Sequence, residues 1–314
     1  MPAVPPRGPT GPPIVAVVGP TASGKSDLSL DLAERLGGEV VNTDAMQLYR
    51  GMDVGTAKLP VEERRGIPHH LLDTLSVRDP ATVAEFQGWA RAVVARLRVR
   101  GVVPVLVGGS ALYTRAVLDH FEFPGTDPAL RSAWEAELER VGAPGLHARL
   151  AEADPEAAAR ILPDNGRRIV RALEVIELTG RPFSASLPRM EYVDPATVQV
   201  GLAIDRPTLD ERIARRVRQM FDTGLVEEVR RLVAQGLEEG RTASRAIGYR
   251  EVAAHLRGEL SLDEAVERTT TATRRFARRQ DAWYRKDPRI RWVEWNDPAR
   301  VEHALAGVAA LRGL

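Results

Sequence analysis

Short apolar runs alternate along this chain with stretches whose apolar residues recur every three or four positions. The runs are Ile14 to Val18, Val40-Val41 within residues 39–44, Val102 to Val107, Thr197 to Ile204 and Ile290 to Trp295. Such brief, continuous runs predict strands buried on both faces, as in a parallel sheet. Helical spacing follows them. It appears at Leu28, Leu32 and Leu36, and within residues 82–99 at Val83, Phe86, Ala90, Val93, Val94 and Leu97. It recurs in Ala111–Leu118, in 208–221 (Ile213, Val217, Met220), in 269–283 (Phe276, Trp283) and in 298–312. Strands alternating with helices predict an α/β fold, a parallel sheet flanked by helices.

Residues 121–195 break this rhythm. Strand-like runs vanish, and Pro124, Pro128, Pro144, Pro155, Pro163, Pro182 and Pro188 punctuate short helices. The clearest is Arg167–Leu178, with Ile169, Leu173 and Ile176 on one stripe. The stretch predicts a helical insertion domain, leaving 14–120 and 196–314 as the catalytic core. Residues 1–13, rich in proline and lacking an apolar centre, predict a disordered leader.

Composition narrows the chemistry. The 314 residues are 44% hydrophobic and 28% charged, with no cysteine, which excludes disulfides, thiolate metal sites and cysteine nucleophiles. No run approaches the length of a membrane span, so a cytoplasmic protein is expected. Net charge is only +1, yet residues 206–291 hold 20 Arg and Lys against 14 Asp and Glu. That local excess hints at a polyanionic partner, although 41 arginines beside three lysines also fit a codon-usage bias.

The sharpest chemical signal lies between the first strand and the first helix. Gly19-Pro20-Thr21-Ala22-Ser23-Gly24-Lys25-Ser26 has the order of a phosphate-cradling loop. Backbone N–H groups and the helix N-terminus would hold a diphosphate, Lys25 would reach the outer phosphate, and Ser26 would bind Mg²⁺. Asp44 ends the second strand beside that loop, where it could serve chemistry or simply cap the next turn. After the 102–107 strand, a nucleotide hydrolase commonly places a metal-binding acid; here stand Gly108, Gly109 and Ser110. That substitution argues against ordinary ATPase chemistry and for a close backbone approach with a hydroxyl donor. His69-His70 lacks a third ligand at zinc-like spacing, so a hydrogen bond from one ring to nearby backbone is expected instead.

Six ordered motifs then carry a resemblance. GPTASGKS, NTDAMQLYRGMDVGTAK, PHHLLD, VGGSALY, RAIGYRE and ARRQDAWYR span residues 14–285 and closely resemble the tRNA dimethylallyltransferase family, in its bacterial form without a zinc-finger tail. The resemblance implies transfer of a dimethylallyl group from dimethylallyl diphosphate to the exocyclic amine of the adenosine 3′ of a tRNA anticodon. It assigns residues 19–26 to the diphosphate and Asp44 to the general base, with Ser110 at the second catalytic position. Asp44, Ala45, Met46, Gln47, Ser110, Arg131, Arg167, Arg168, Ile169, Val170 and Arg171 look like tRNA contacts, as do Arg245, Ala246, Ile247, Gly248, Tyr249 and Arg250. Arg212 or Arg216, on a helix flank, would add a donor to the diphosphate; Mg²⁺ is the implied cofactor, and a monomer fits the family. An enzyme that prenylates free AMP, ADP or ATP, a P-loop small-molecule kinase and a non-catalytic RNA-binding protein remain as alternatives.

Overall fold

The structure is a computed structural model, and it describes residues 11–186 and 190–312. Contacts divide the chain into two compact units: Asp119–Glu191, and the chain on either side of it.

The larger unit is built on six parallel strands in the order β3-β2-β4-β1-β5-β6. They are β1 (Ile14–Val18), β2 (Gly38–Asn42), β3 (His69–His70), β4 (Val103–Val107), β5 (Thr197–Ala203) and β6 (Ile290–Glu294). Successive side chains of a strand face opposite ways, and both faces of this sheet are covered. Ile14, Ala16, Val18, Val41 and Leu106 pack on Phe86, Ala90 and Leu97 of α2 (Val83–Val99) and on α3 (Ala111–Leu118). Val15, Val17, Val40, Val105 and Val200 pack on Leu28 and Leu32 of α1 (Lys25–Leu36). Burial on both sides explains why these strands lack polar alternation.

Because every strand runs the same way, all the carboxyl ends open on one edge. Asn42 and Val17 both register with Val107, so Gly19, Thr43 and Gly108 emerge together there. Ligand crevices of open α/β sheets form at that edge, where the strand order reverses.

The smaller unit is helical: α4 (Pro128–Ala153), α5 (Pro155–Arg160) and α6 (Gly166–Thr179). Prolines do not chop it as finely as expected. Pro128 and Pro155 sit in first turns, where a missing N–H costs nothing, and α4 breaks only at Gly142, two residues before Pro144. Leu146, Leu150, Ile169, Val170 and Leu173 form its core.

The chain then supplies α7 (Arg206–Asp222), α8 (Leu225–Ala234), α9 (Tyr249–Leu256), α10 (Leu262–Tyr284) and α11 (Arg300–Arg312). Helix α10 starts seven residues before the expected Thr269. Ser261 accepts from the Glu264 amide and the Glu264 carboxylate accepts from the Ser261 amide, a capping box that fixes the start. Residues 1–10 of the expected leader lie outside the described residues. Within residues 11–13, Pro13 is buried and the Pro12 carbonyl accepts a hydrogen bond from Arg98, so this part is anchored rather than loose.

Candidate active site

The loop from Gly19 to Gly24 leaves β1 and turns into α1, whose N-cap Gly24 has φ 102° and no side-chain cap. The first-turn N–H groups of that helix are therefore open to an anion. Two groups distant in sequence and one adjacent lysine hold the loop. The Thr21 amide donates to Gln280 Oε1 at 2.9 Å, Arg212 Nε donates to the Ala22 carbonyl at 2.7 Å, and Lys25 Nζ donates to the Pro20 carbonyl at 2.7 Å. The buried Ser23 hydroxyl has no partner among the described residues.

Gln280 also donates to the Gly109 carbonyl at 2.7 Å, which ties the phosphate-type loop to the end of β4. A Cβ on Gly109 would lie 2.2 Å from the Gln280 amide nitrogen, and one on Gly108 2.3 Å from the Thr43 hydroxyl, so Gly109 makes room for the Gln280 contact and Gly108 for Thr43 after β2. Tyr284, one turn further along α10, donates to the Gly108 carbonyl. Gln280 and Tyr284 both lie on the buried face of α10, within the ARRQDAWYR motif, but nothing in their spacing shows which loop they bind.

Asp44 stands two residues beyond β2. Its amide donates to Asn42 Oδ1 at 2.8 Å, and Asn42 Nδ2 donates to the carbonyls of Asp44 and Leu71. Asp44 Oδ1 accepts from the Met46 amide at 2.9 Å, so the carboxylate is tied to the short turn after it as well as lining the crevice. Burial pushes its pKa up, against the Met46 amide, the Lys25 charge and the Gln47 amide. Burial likewise lowers Lys25 to about 7, helped by the neighbouring Arg216 cation and opposed by Asp44.

Two cavities meet here. One, of about 410 Å³, is lined by Thr21, Asp44, Ser110 and Arg245, with an apolar wall of Ile213, Val217, Met220 and Phe276. The other, of about 550 Å³, is lined by Lys25, Ser26, Asp27, Asp53 and Arg212. Ala22, Ala57, Arg216 and Met220 border both. Arg216 makes no ion pair among the described residues. Burial and the Arg212 charge lower its pKa, with Asp27 opposing, so its guanidinium is poorly compensated.

The remaining predicted residues divide. Ala45, Met46, Ala246, Ile247 and Gly248 line the first cavity, and Gln47 Nε2 donates to the Thr56 carbonyl beside it. Arg250 instead pairs with Glu251 and borders a separate groove with Arg257 and Arg275. Arg167 and Arg168 are exposed on α6. The side chains of Ile169 and Val170 are buried in the helical unit's core, and Tyr249, buried with its hydroxyl on Glu228, borders the first cavity. Arg131 and Arg171 both bind Glu174, and Arg171 also donates to the Pro124 and Gly125 carbonyls. His69 Nδ1 lies 2.8 Å from the Ile67 carbonyl and His70 Nε2 2.6 Å from Glu39. Among the described residues, no group of three or more His, Cys, Asp or Glu could hold a metal ion.

Comparison with known families decides the chain's relationship. A family model described as IPP transferase matches residues 47–287. The chain belongs to the IPP transferase family. A tRNA dimethylallyltransferase from Nocardioides sp. is 73% identical over 298 residues, covering 95% of this chain and 96% of the relative. Among solved structures, a full-length tRNA isopentenylpyrophosphate transferase from Bacillus halodurans superposes with a TM-score of 0.71. It is 38% identical and covers 96% of this chain and 97% of that one. A eukaryotic dimethylallyltransferase studied acting on tRNA gives a TM-score of 0.79 at 25% identity, with 94% of this chain and 77% of that one covered. The glycine-bounded loop of residues 19–26 and Asp44 both lie upstream of the matched residues.

Proposed function

We propose that this protein transfers a dimethylallyl group from dimethylallyl diphosphate to the exocyclic N6 amine of the adenosine 3′-adjacent to a tRNA anticodon, releasing diphosphate. The observation that carries the reading is one crevice bordered by Asp44, by a poorly compensated Arg216 and by an apolar wall. The phosphate-type loop of residues 19–26 opens beside it, and Arg216 faces both cavities.

The chemistry follows from these groups. The donor's C–O bond breaks as the adenine nitrogen forms the new C–N bond, and that nitrogen must lose a proton. Asp44 accepts it; a carboxylate with an upward-shifted pKa is a better base than an exposed one. Negative charge grows on the leaving diphosphate, where loop amides, Lys25 and Arg216 stabilise it. The side chains of Ile213, Val217, Met220 and Phe276 exclude water around the five-carbon chain. The target base leaves its stack to enter, at a cost of about a few kcal/mol. Arg245 and the exposed Arg167 and Arg168 offset this through phosphate contacts.

Mg²⁺ fits the donor set. The unpartnered Ser23 hydroxyl, the exposed Ser26 and the carboxylates of Asp27, Asp53 and Glu63 provide scattered oxygens rather than a closed cage. Such a set suits an ion held mainly by substrate phosphates. When bound, the ion neutralises charge on the leaving diphosphate. Among the described residues no helix is long and apolar enough to cross a membrane, and we assign a cytoplasmic setting.

The test is label transfer. The protein is incubated with dimethylallyl diphosphate labelled in its carbon chain, Mg²⁺ and either unmodified tRNA or AMP. Label should enter tRNA and not AMP. Label in AMP would select the mononucleotide enzyme. Transfer of phosphorus from γ-labelled ATP, with no prenyl transfer, would select a kinase.

A further inference from the structure

Glu228 on α8 is 2% exposed and has no cation partner among the described residues. Its charge is solvated by four donors. Oε2 accepts from the amides of Asp53 at 3.1 Å and Val54 at 2.8 Å. Oε1 accepts from the Gly55 amide at 3.1 Å and from the Tyr249 hydroxyl at 2.5 Å. Three consecutive backbone N–H groups thus converge on one buried carboxylate.

The segment they belong to is a wall of the crevice. Gly55, Thr56 and Ala57 line the 410 Å³ cavity, while Asp53, Val54 and Ala57 line the 550 Å³ one. The Thr56 carbonyl accepts from Gln47 Nε2 at 3.1 Å, three residues from Asp44. Lys58 closes the segment's far end, donating to the Tyr49 carbonyl and to the carboxylates of Asp53 and Asp73. Hydrogen bonds therefore run without a gap from Glu228 through residues 53–56 to Gln47. A surface turn can satisfy its amides with water, whereas burying a carboxylate costs several kcal/mol before its partners repay it. The fold spends that energy at the wall of the crevice.

We propose that Glu228, with Tyr249, is a positioning residue for prenyl transfer: it clamps residues 53–57 as the common wall of the two cavities and so fixes Gln47 relative to Asp44. The inference rests on the reading that the first cavity receives the acceptor base.

The experiment measures single-turnover transfer at saturating tRNA and, separately, affinity for labelled dimethylallyl diphosphate. The full chain is used with Mg²⁺, in wild type, Glu228→Gln, Tyr249→Phe and the double variant. Glu228→Gln turns an amide NH₂ toward backbone donors and should slow transfer by about ten-fold or more, since displacements near 1 Å can cost about 10²-fold. Donor affinity should stay within about two-fold. Tyr249→Phe keeps the ring and should cost less, and the double variant should be no slower than Glu228→Gln, the non-additivity of one unit. Should Glu228→Gln fail to fold, Gly55→Ala applies the same displacement from the loop side, because its Cβ would lie 2.5 Å from the Tyr249 ring. Near-wild-type transfer would overturn the clamp, as would equal losses of rate, donor affinity and thermal stability. No label reaching tRNA in the wild type would instead remove the underlying functional reading.

Discussion

Arginines in the two units of this molecule live in opposite electrostatic circumstances. In the helical unit, Arg131 and Arg171 converge on Glu174, which is fully buried and also accepts from the Asp127 amide. Burial alone would raise the Glu174 pKa, yet the two guanidinium groups hold it below the ordinary carboxylate range. On α7, Arg212 and Arg216 have no ion-paired carboxylate among the described residues. Arg212 stacks over Trp295 and bonds a carbonyl; burial and then the Arg215 charge lower its pKa, and burial and then the Arg212 charge lower that of Arg216. A guanidinium that already owns a carboxylate builds structure. One held beside Lys25 and another arginine is waiting for an anion to complete it.

The largest test of this contrast is Arg216→Gln. Removing a donor aimed at developing charge typically costs about 10²–10³-fold in rate, so transfer should fall by about 10²-fold with the unfolding midpoint unchanged or raised. A lost fold instead of a lost rate would put Arg216 in the structural class. Arg171→Ala should do the reverse. It removes charged hydrogen bonds to a buried carboxylate, each worth about 1.5–3 kcal/mol, so urea unfolding should show a loss of about 2 kcal/mol while donor affinity holds.

Lys25 sharpens the contrast through protons. Its pKa of about 7 against 10.5 for the free side chain means that the folded protein binds fewer protons than the unfolded chain between those values. Stability of the ligand-free protein should therefore rise with pH across that window. A bound diphosphate restores the positive charge. Calorimetry in buffers of different ionisation enthalpy should show little proton uptake on donor binding at pH 6 and about one proton well above pH 7. The smallest effect is expected at Arg168, exposed on α6: Arg168→Ala should reduce the salt slope of tRNA binding by about 1 and leave stability within about 0.5 kcal/mol.

Local pattern carried much of the fold. The run at Ile14–Val18 and the helix Ala111–Leu118 stand where the sequence put them, because a strand buried on both faces and an apolar helical stripe are written in neighbouring residues. The glycine-bounded turn from β1 into α1 was legible for the same reason. What sequence missed was long-range. Gln280 meets Thr21 across 259 positions and Gly109 across 171, and Glu228 meets Asp53 across 175. No periodicity announces such pairs. The apolar stripe of α6 was legible too, and it places Ile169 and Leu173 in the core of the helical unit.

The central claim is that Asp44 takes the adenine proton while the neighbouring loop and Arg216 hold the departing diphosphate. Rapid-quench single turnover of Asp44→Asn, with tRNA bound and donor saturating, tests it most directly. The account predicts a transfer rate lower by about 10²-fold or more, with tRNA affinity within a few-fold of wild type. A rate close to wild type would contradict it.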